Sequence, residues 1–263
     1  RAKFGGAEPA TGWEGFTWHD VVLPPHLPSL QLPGFVVLDR AIIKAPAEAG
    51  ATTRLALTDP AGDDTGPAGQ AYTYPTDVHF QPGILDLTGF ELREDTTAFH
   101  VALDFANLVQ PGWNPQDGFQ LTYAAVVFDT GAAGSVGTVV AHKSGYTLPA
   151  GTGYEFAIYV GAGLEVTDAA GAVLATYVPA GGDVLDPLGS ADTRRVSFRL
   201  PKSVIPALPS GTKVTLLVGS QDDYGNGSMG DFRAVAIDAG QWTGGGNTLG
   251  GPFVYDFASG VMN

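Results

Sequence analysis

Aspartate and glycine crowd into two loop-like segments, a pattern suited to binding a metal ion. Asp59, Asp63 and Asp64 lie within six positions, with glycines that allow a tight loop, and Asp222 and Asp223 precede a Tyr-Gly pair. Crowded carboxylates repel one another unless a cation joins them, and Ca²⁺ takes six to eight oxygen ligands of this kind. These five aspartates are therefore candidate calcium ligands, although their spacing is not that of an EF-hand. The alternative is that they cap turns through side-chain hydrogen bonds.

Histidine is the second residue type that could bind a metal. Because the chain has no cysteine and two methionines, imidazole is the main ligand it offers to copper. A single histidine is more often a packed or surface residue, and no His-x-His pair occurs. Strands hold ligand geometry better than an extended terminus, so the later histidines carry more weight than the first two. The copper candidates are His79, His100, His142, His19 and His26.

Aromatic side chains offer a third kind of chemistry, stacking against sugar rings. Trp113, Tyr224 and Trp242 are the candidates for such a glycan site, and packing in the core is the alternative for each. Recognisable catalytic motifs are absent from the sequence, including the G-x-S-x-G elbow, H-E-x-x-H, the P-loop and the dinucleotide fingerprint.

The sequence contains many short segments with β-strand character, and the strands they predict would position these residues. In one of them Val101, Leu103 and Phe105 alternate with more polar neighbours, a period of two, and no stretch follows a helical period. The pattern predicts an all-β fold, an antiparallel β-sandwich. The predicted strands cover 35–44, 53–58, 84–92, 97–108, 119–129, 137–143, 154–160, 164–167, 172–178, 193–200, 213–220 and 232–237.

The first 34 residues differ from the rest, because glycine and proline are interleaved with tryptophan there. They are predicted to form an extended N-terminal arm that packs on its own domain or on a neighbour. We divide the chain into residues 1–52, the arm with an added strand, and residues 53–263, the sandwich. Because the chain begins with arginine, we expect a processed or truncated N-terminus, as after removal of a signal peptide.

Charge and hydrophobicity indicate which classes of partner the protein can bind. Asp and Glu number 27 against 13 Lys and Arg, a formal net charge of −14. Such a field repels polyanions, so no nucleic acid partner is expected. The sequence contains no run of 18 apolar residues, so no transmembrane segment is predicted.

The two Asp-rich segments, 59–92 and 217–242, carry a resemblance to a known family. Together with WNPQDGFQLTYAAVVFD, YEFAIYVGAGLEVTDAAGAVL and VSFRLPKSVIP, they resemble the glucodextranase C-terminal-type domain, a β-sandwich related to DOMON-like folds. The resemblance covers roughly residues 53 to 258. It implies a secreted or cell-surface location, often beside glycan-degrading enzymes.

The whole chain, arm included, also resembles a subunit of bacterial S-layer complexes described as a copper-only superoxide dismutase. This implies bound copper, S-layer or outer-envelope partners and a closed homo-oligomer such as a trimer. The usual His-x-His and cysteine pair of copper-only dismutases are missing here, so no ligand set carries over. The predicted function is an envelope subunit that removes superoxide at the cell surface. The alternative is a non-catalytic glycan-binding or structural collar module stabilised by calcium.

Overall fold

A computed structural model of the chain describes residues 29–32, 35–132, 137–179, 187–205, 207–222 and 229–263. These residues form two β-sheets joined by turns, which confirms the predicted β-sandwich. No helix in these ranges has the length and apolar character needed to cross a membrane. Of the arm predicted over residues 1–34, residues 29–32 form a strand that pairs with Phe35–Leu38, and the rest lies outside the described residues.

The larger sheet has nine strands, in the order β1-β2-β9-β8-β7-β6-β12-β13, with β14 also paired to β12. Every pair is antiparallel except β2 with β9. The strands are β1 (Ser29–Leu32), β2 (Phe35–Leu38), β6 (Thr122–Asp129), β7 (Phe156–Gly161), β8 (Gly163–Asp168), β9 (Val173–Tyr177), β12 (Lys213–Asp222), β13 (Asp231–Phe232) and β14 (Asp256–Val261).

The smaller sheet has five antiparallel strands in the order β10-β11-β5-β4-β3. They are β3 (Thr52–Thr58), β4 (Leu87–Glu94), β5 (Ala98–Phe105), β10 (Gly189–Ser190) and β11 (Arg195–Pro201). A short helix, α1 (Arg40–Ile43), and a 3-10 helix, Pro115–Asp117, complete the described elements.

The core lies between the two sheets. In β5 the residues Val101, Leu103 and Phe105 are buried while the residues between them are half-exposed, as the period of two predicts. Strand β6 is instead buried on both faces, because a second apolar cluster built around Tyr123 and Tyr159 covers its outer side. Tyr123 and Tyr159 are therefore core residues, both fully buried.

Three predicted strands differ most from the structure. The run at 35–44 ends as a strand at Leu38, because Asp39 accepts a hydrogen bond from Ile42 N at 2.9 Å and starts α1. Residues 137–143 form isolated bridges at Gly137 and Val139 followed by a turn. Within residues 232–237, strand structure is confined to Phe232, the second residue of β13, and to a bridge at Val235. Ile43 of α1 packs in the main core, and Val140 packs in the outer cluster of the larger sheet, so both are buried without belonging to a strand.

Candidate functional site

Three rings from three separate loops meet at the protein surface. His79 lies between β3 and β4, Trp113 between β5 and β6, and Trp242 between β13 and β14. The ring centroids of His79 and Trp113 are 4.8 Å apart, and those of Trp113 and Trp242 are 5.7 Å apart. Trp113 is 47% exposed, and the other two are partly buried. We call these three residues the aromatic surface.

Polar groups lie at the rim of the aromatic surface. Asp77 Oδ1 is 2.6 Å from His79 Nδ1, and Gln241 Nε2 donates to Asp77 Oδ2 at 3.0 Å. The hydrogen bond from Gln241, followed by those from His79, lowers the pKa of Asp77. An ionised carboxylate and an amide are therefore held beside the exposed rings, where they can pair with hydroxyl groups.

A buried arginine supports the aromatic surface from below. Arg233 Nε donates to Gln221 O at 2.8 Å, and its Nη1 donates to the Trp242 carbonyl at 3.1 Å. The guanidinium lies 5.8 Å from the Trp242 ring centroid and 5.9 Å from that of Phe80, whose edge packs on Trp242. The position of Trp242 is thus fixed by its backbone and by both neighbouring rings.

The loop that carries Trp113 is held by its own polar contacts. Trp113 N donates to Gln120 Oε1 at 3.3 Å. Gly118 ends the 3-10 helix with φ +76°, and a Cβ there would lie 1.9 Å from Gly189 O. Only glycine therefore permits this close approach of the loop to β10.

A group of carboxylates forms a second candidate site. One oxygen each of Asp59, Asp63 and Asp256 lies within 4.8 Å of the others. Burial and the charge of Asp63 raise the pKa of Asp59 to about 6, and burial raises the pKa of Asp256 to about 7. Because Asp59 and Asp256 are shielded from water and lie close to other carboxylates, their negative charges repel one another. Either a proton or a bound cation would relieve this repulsion.

The other calcium candidates have different surroundings. Asp64 accepts a hydrogen bond from Tyr74 Oη. Asp222 Oδ1 is 4.0 Å from Arg233 Nη1, at the end of β12. Asp223 and the glycan candidate Tyr224 lie outside the described residues.

The three described copper candidates have separate partners. His79 contacts Asp77, His100 Nε2 is 2.7 Å from Asp95 Oδ2, and His142 Nε2 is 3.0 Å from Glu165 Oε1. Within the described ranges, the residues that could together hold a metal are Asp59, Asp63 and Asp256, and no histidine is among them. The structure does not bring the described histidines together with one another, and their binding of copper stays a prediction. His19 and His26 lie outside the described residues.

His142 has a structural role that its partners explain. It lies between two carboxylates, with its Nδ1 3.3 Å from Asp231 Oδ1, and its ring centroid is 4.1 Å from that of Tyr159. Burial alone would lower the pKa of His142, but the hydrogen bond and charge of Glu165 and the charge of Asp231 outweigh it and raise the pKa. This histidine helps to pack the outer cluster of the larger sheet.

A groove of about 260 Å³ beside α1, on the outer face of the smaller sheet, gathers positive charge. Arg93, Arg195 and Arg199 line it. Arg195 pairs with Asp104 through two contacts of 2.6 and 2.8 Å, and Arg199 donates to Thr97 Oγ1 at 3.0 Å. Because these guanidinium groups already have partners, the groove is a weaker candidate than the aromatic surface.

Sequence reasoning missed Asp77 and Gln241 at the rim of the aromatic surface, and it also missed three buried residues. Asp86 and Asp256 are 3% and 2% exposed, and Arg233 is 8% exposed. Asp86 and Asp256 interrupt apolar runs, Ile-Leu-Asp-Leu and Val-Tyr-Asp-Phe, and a lone carboxylate in such a run is a usable signal of a buried, functional acid. Arg233 likewise interrupts an apolar run, Phe-Arg-Ala-Val-Ala-Ile, so the same signal was available for it.

The fold and the aromatic surface define a β-sandwich binding module. The chain belongs to the family of C-terminal, SLH-like binding modules of glucodextranase, whose model matches residues 55–262. This confirms the predicted family and agrees with a location at the cell envelope. A comparison with curated proteins finds no match.

Proposed function

We propose that this chain is a non-catalytic glycan-binding module of the cell envelope. The observation that carries the proposal is the convergence of Trp113, Trp242 and His79 from three loops, with a carboxylate hydrogen-bonded to His79 and an amide hydrogen-bonded to that carboxylate. Membership of a family described as a binding module supports it.

The chemistry of the surface suits a sugar. Aromatic faces pack against the C–H face of a sugar ring, and the polar rim can pair with its hydroxyl groups. Asp77 can accept and Gln241 can both donate and accept, so the rim matches neutral hydroxyls. The net charge of −14 favours a neutral glycan over an anionic polymer.

Replacing Trp113 by alanine is expected to weaken binding to an envelope glycan at least tenfold, because central aromatic contacts dominate binding energy. Trp242→Ala should have a similar effect. Soluble dextran and purified cell-wall sacculi are the probes, measured by titration calorimetry and by co-sedimentation. Val139→Ala, which removes an exposed apolar side chain elsewhere, is the control and should bind normally.

The binding experiment also separates the aromatic surface from the cationic groove. A protein carrying Arg93→Gln and Arg199→Gln should bind as tightly as the wild type. If that protein loses binding while both tryptophan variants keep it, the groove is the site and the proposal fails. If the wild type binds neither probe, the module is a structural collar and not a glycan binder.

Copper-dependent superoxide dismutation in an S-layer complex, with a homo-oligomer such as a trimer, stays a prediction that rests on the resemblance. Since the described histidines have separate partners, copper would need His19 and His26, from one chain or from neighbouring chains. The test is copper content and superoxide dismutation of copper-loaded protein, with His19→Ala and His26→Ala expected to lose both. Protein that binds no copper at micromolar concentration would exclude the enzyme.

A further inference from the structure

The carboxylates at the junction of the two sheets form a site that the glycan-binding function does not use. We propose that Asp59, Asp63 and Asp256, supported by Asp86, bind a Ca²⁺ ion that joins the two sheets. This goes beyond glycan binding and differs from the ligand set that the sequence indicated, because Asp256 and Asp86 replace the loop at 222–223.

The spacing of the oxygens suits a shared cation. Ca²⁺ binds oxygen at about 2.3–2.6 Å, so two ligands on opposite sides of one ion are about 4.6–5.2 Å apart. The three carboxylate oxygens all lie within 4.8 Å of one another, inside this span. Asp256 is buried, Asp59 is half-buried and Asp63 is exposed, so a cation can reach the buried oxygens past Asp63.

A second observation points to a ligand at the same place. Asp86 is 3% exposed, and its Oδ1 is buried without a hydrogen-bond partner. Its Oδ2 accepts from Gly62 N at 2.7 Å, beside Asp63, and its charge acts on Asp59. Asp59 Oδ2 is likewise buried without a donor, and the Asp59 and Asp256 carboxyl groups lie close enough to share a proton when no cation is bound. Unpaired buried carboxylate oxygens are costly, and a bound cation would satisfy them.

The site lies where the sheets approach each other at their edges. Asp59 follows β3, and Asp86 precedes β4 in the smaller sheet. Asp256 begins β14 of the larger sheet, and its Oδ2 accepts from Leu87 N at 2.7 Å across the gap. In the loop between Asp59 and Asp86, Gly66 N donates to Tyr255 O at 2.8 Å. An ion here would hold both sheets and this loop together.

The test is calcium binding to the full chain after removal of divalent cations. Ca²⁺ should bind in titration calorimetry, and a hundredfold excess over its dissociation constant should raise the melting temperature by about 5–10 °C. Asp63→Asn should weaken Ca²⁺ binding at least tenfold and remove most of this rise. Because Asp63 is exposed, this variant should fold normally, and Asp256→Asn provides the buried counterpart.

Asp192→Asn is the matched control. Asp192 is an exposed carboxylate in the turn between β10 and β11, at the opposite edge of the smaller sheet from β3. The Asp192→Asn variant should bind Ca²⁺ as the wild type does, and its melting temperature should rise by the same amount. The proposal is overturned if millimolar Ca²⁺ neither binds nor stabilises the wild type, which would indicate a shared proton instead. It is also overturned if Mg²⁺ stabilises as strongly, or if Asp192→Asn loses as much as Asp63→Asn.

Discussion

Replacing Arg233 by alanine is expected to lower the free energy of unfolding by about 3–5 kcal/mol, because it removes two hydrogen bonds from a charged donor, each worth about 1.5–3 kcal/mol. The side chain is 8% exposed and donates to two backbone carbonyls, those of Gln221 and Trp242. Its loss would leave those carbonyls without their donor and open a space beside the Phe80 and Trp242 rings. Glycan binding should also weaken, because Trp242 loses its support.

Arg195→Ala is the matched control for this prediction. Arg195 makes a two-point contact with Asp104, but both side chains are exposed by 44% and 36%. Exposed ion pairs contribute about 0–1 kcal/mol, so this change should have little effect. Denaturant unfolding of both variants gives the comparison. Equal losses of stability in the two would show that Arg233 has no special role.

Calcium-free protein is expected to lose stability as the pH rises from about 4 to about 7. Burial and nearby carboxylates raise the pKa of Asp59 from 3.8 to about 6 and that of Asp256 from 3.8 to about 7. In this window the folded chain holds protons that the unfolded chain has released, so unfolding becomes easier as the pH increases. The shift at Asp256, which is buried, corresponds to about 4 kcal/mol.

With saturating Ca²⁺ the sign of this dependence should reverse. The ion requires ionised carboxylates, and protons compete with it at low pH, so stability should rise between pH 4 and 7. Unfolding midpoints of the wild type and Asp256→Asn across this range are the measurement. His142, whose pKa is also raised, is present in both proteins, so its contribution cancels. The difference in unfolding midpoint between the wild type and Asp256→Asn therefore reports on Asp59 and Asp256. A difference that does not vary with pH would contradict the prediction.

Much of the fold could be predicted from the sequence because strands leave a local pattern. The alternation around Val101 is confirmed in β5, and most predicted strands are present within a few residues. The strand predicted at 35–44 failed after Leu38, where one hydrogen bond to Asp39 turns the backbone into α1. Strand β6 shows no alternation, because its outer face is covered by residues distant in sequence.

The candidate sites were predicted less completely. Trp113 and Trp242 were recognised as glycan candidates. The sequence did not indicate that His79 would join them and not the other histidines. Asp59 and Asp63 were recognised as cation candidates, whereas their partner Asp256 lies almost two hundred residues away in the chain. Hydrogen bonds such as Leu87 N to Asp256 Oδ2 depend on how the sheets pack, which no local window of sequence contains.

The sequence by itself determined the fold class, the family and the residue types available for chemistry, because composition, period-two alternation and turn residues act locally. The tertiary structure decided which of those residues meet. Three loops bring their aromatic rings to one surface, and the edges of two sheets bring their carboxylates within 4.8 Å. It also gave each described histidine its own carboxylate. This proximity arises from the packing of segments that are far apart in the chain. The free energy that stabilises it is distributed over many contacts between segments, and no single segment contains them all.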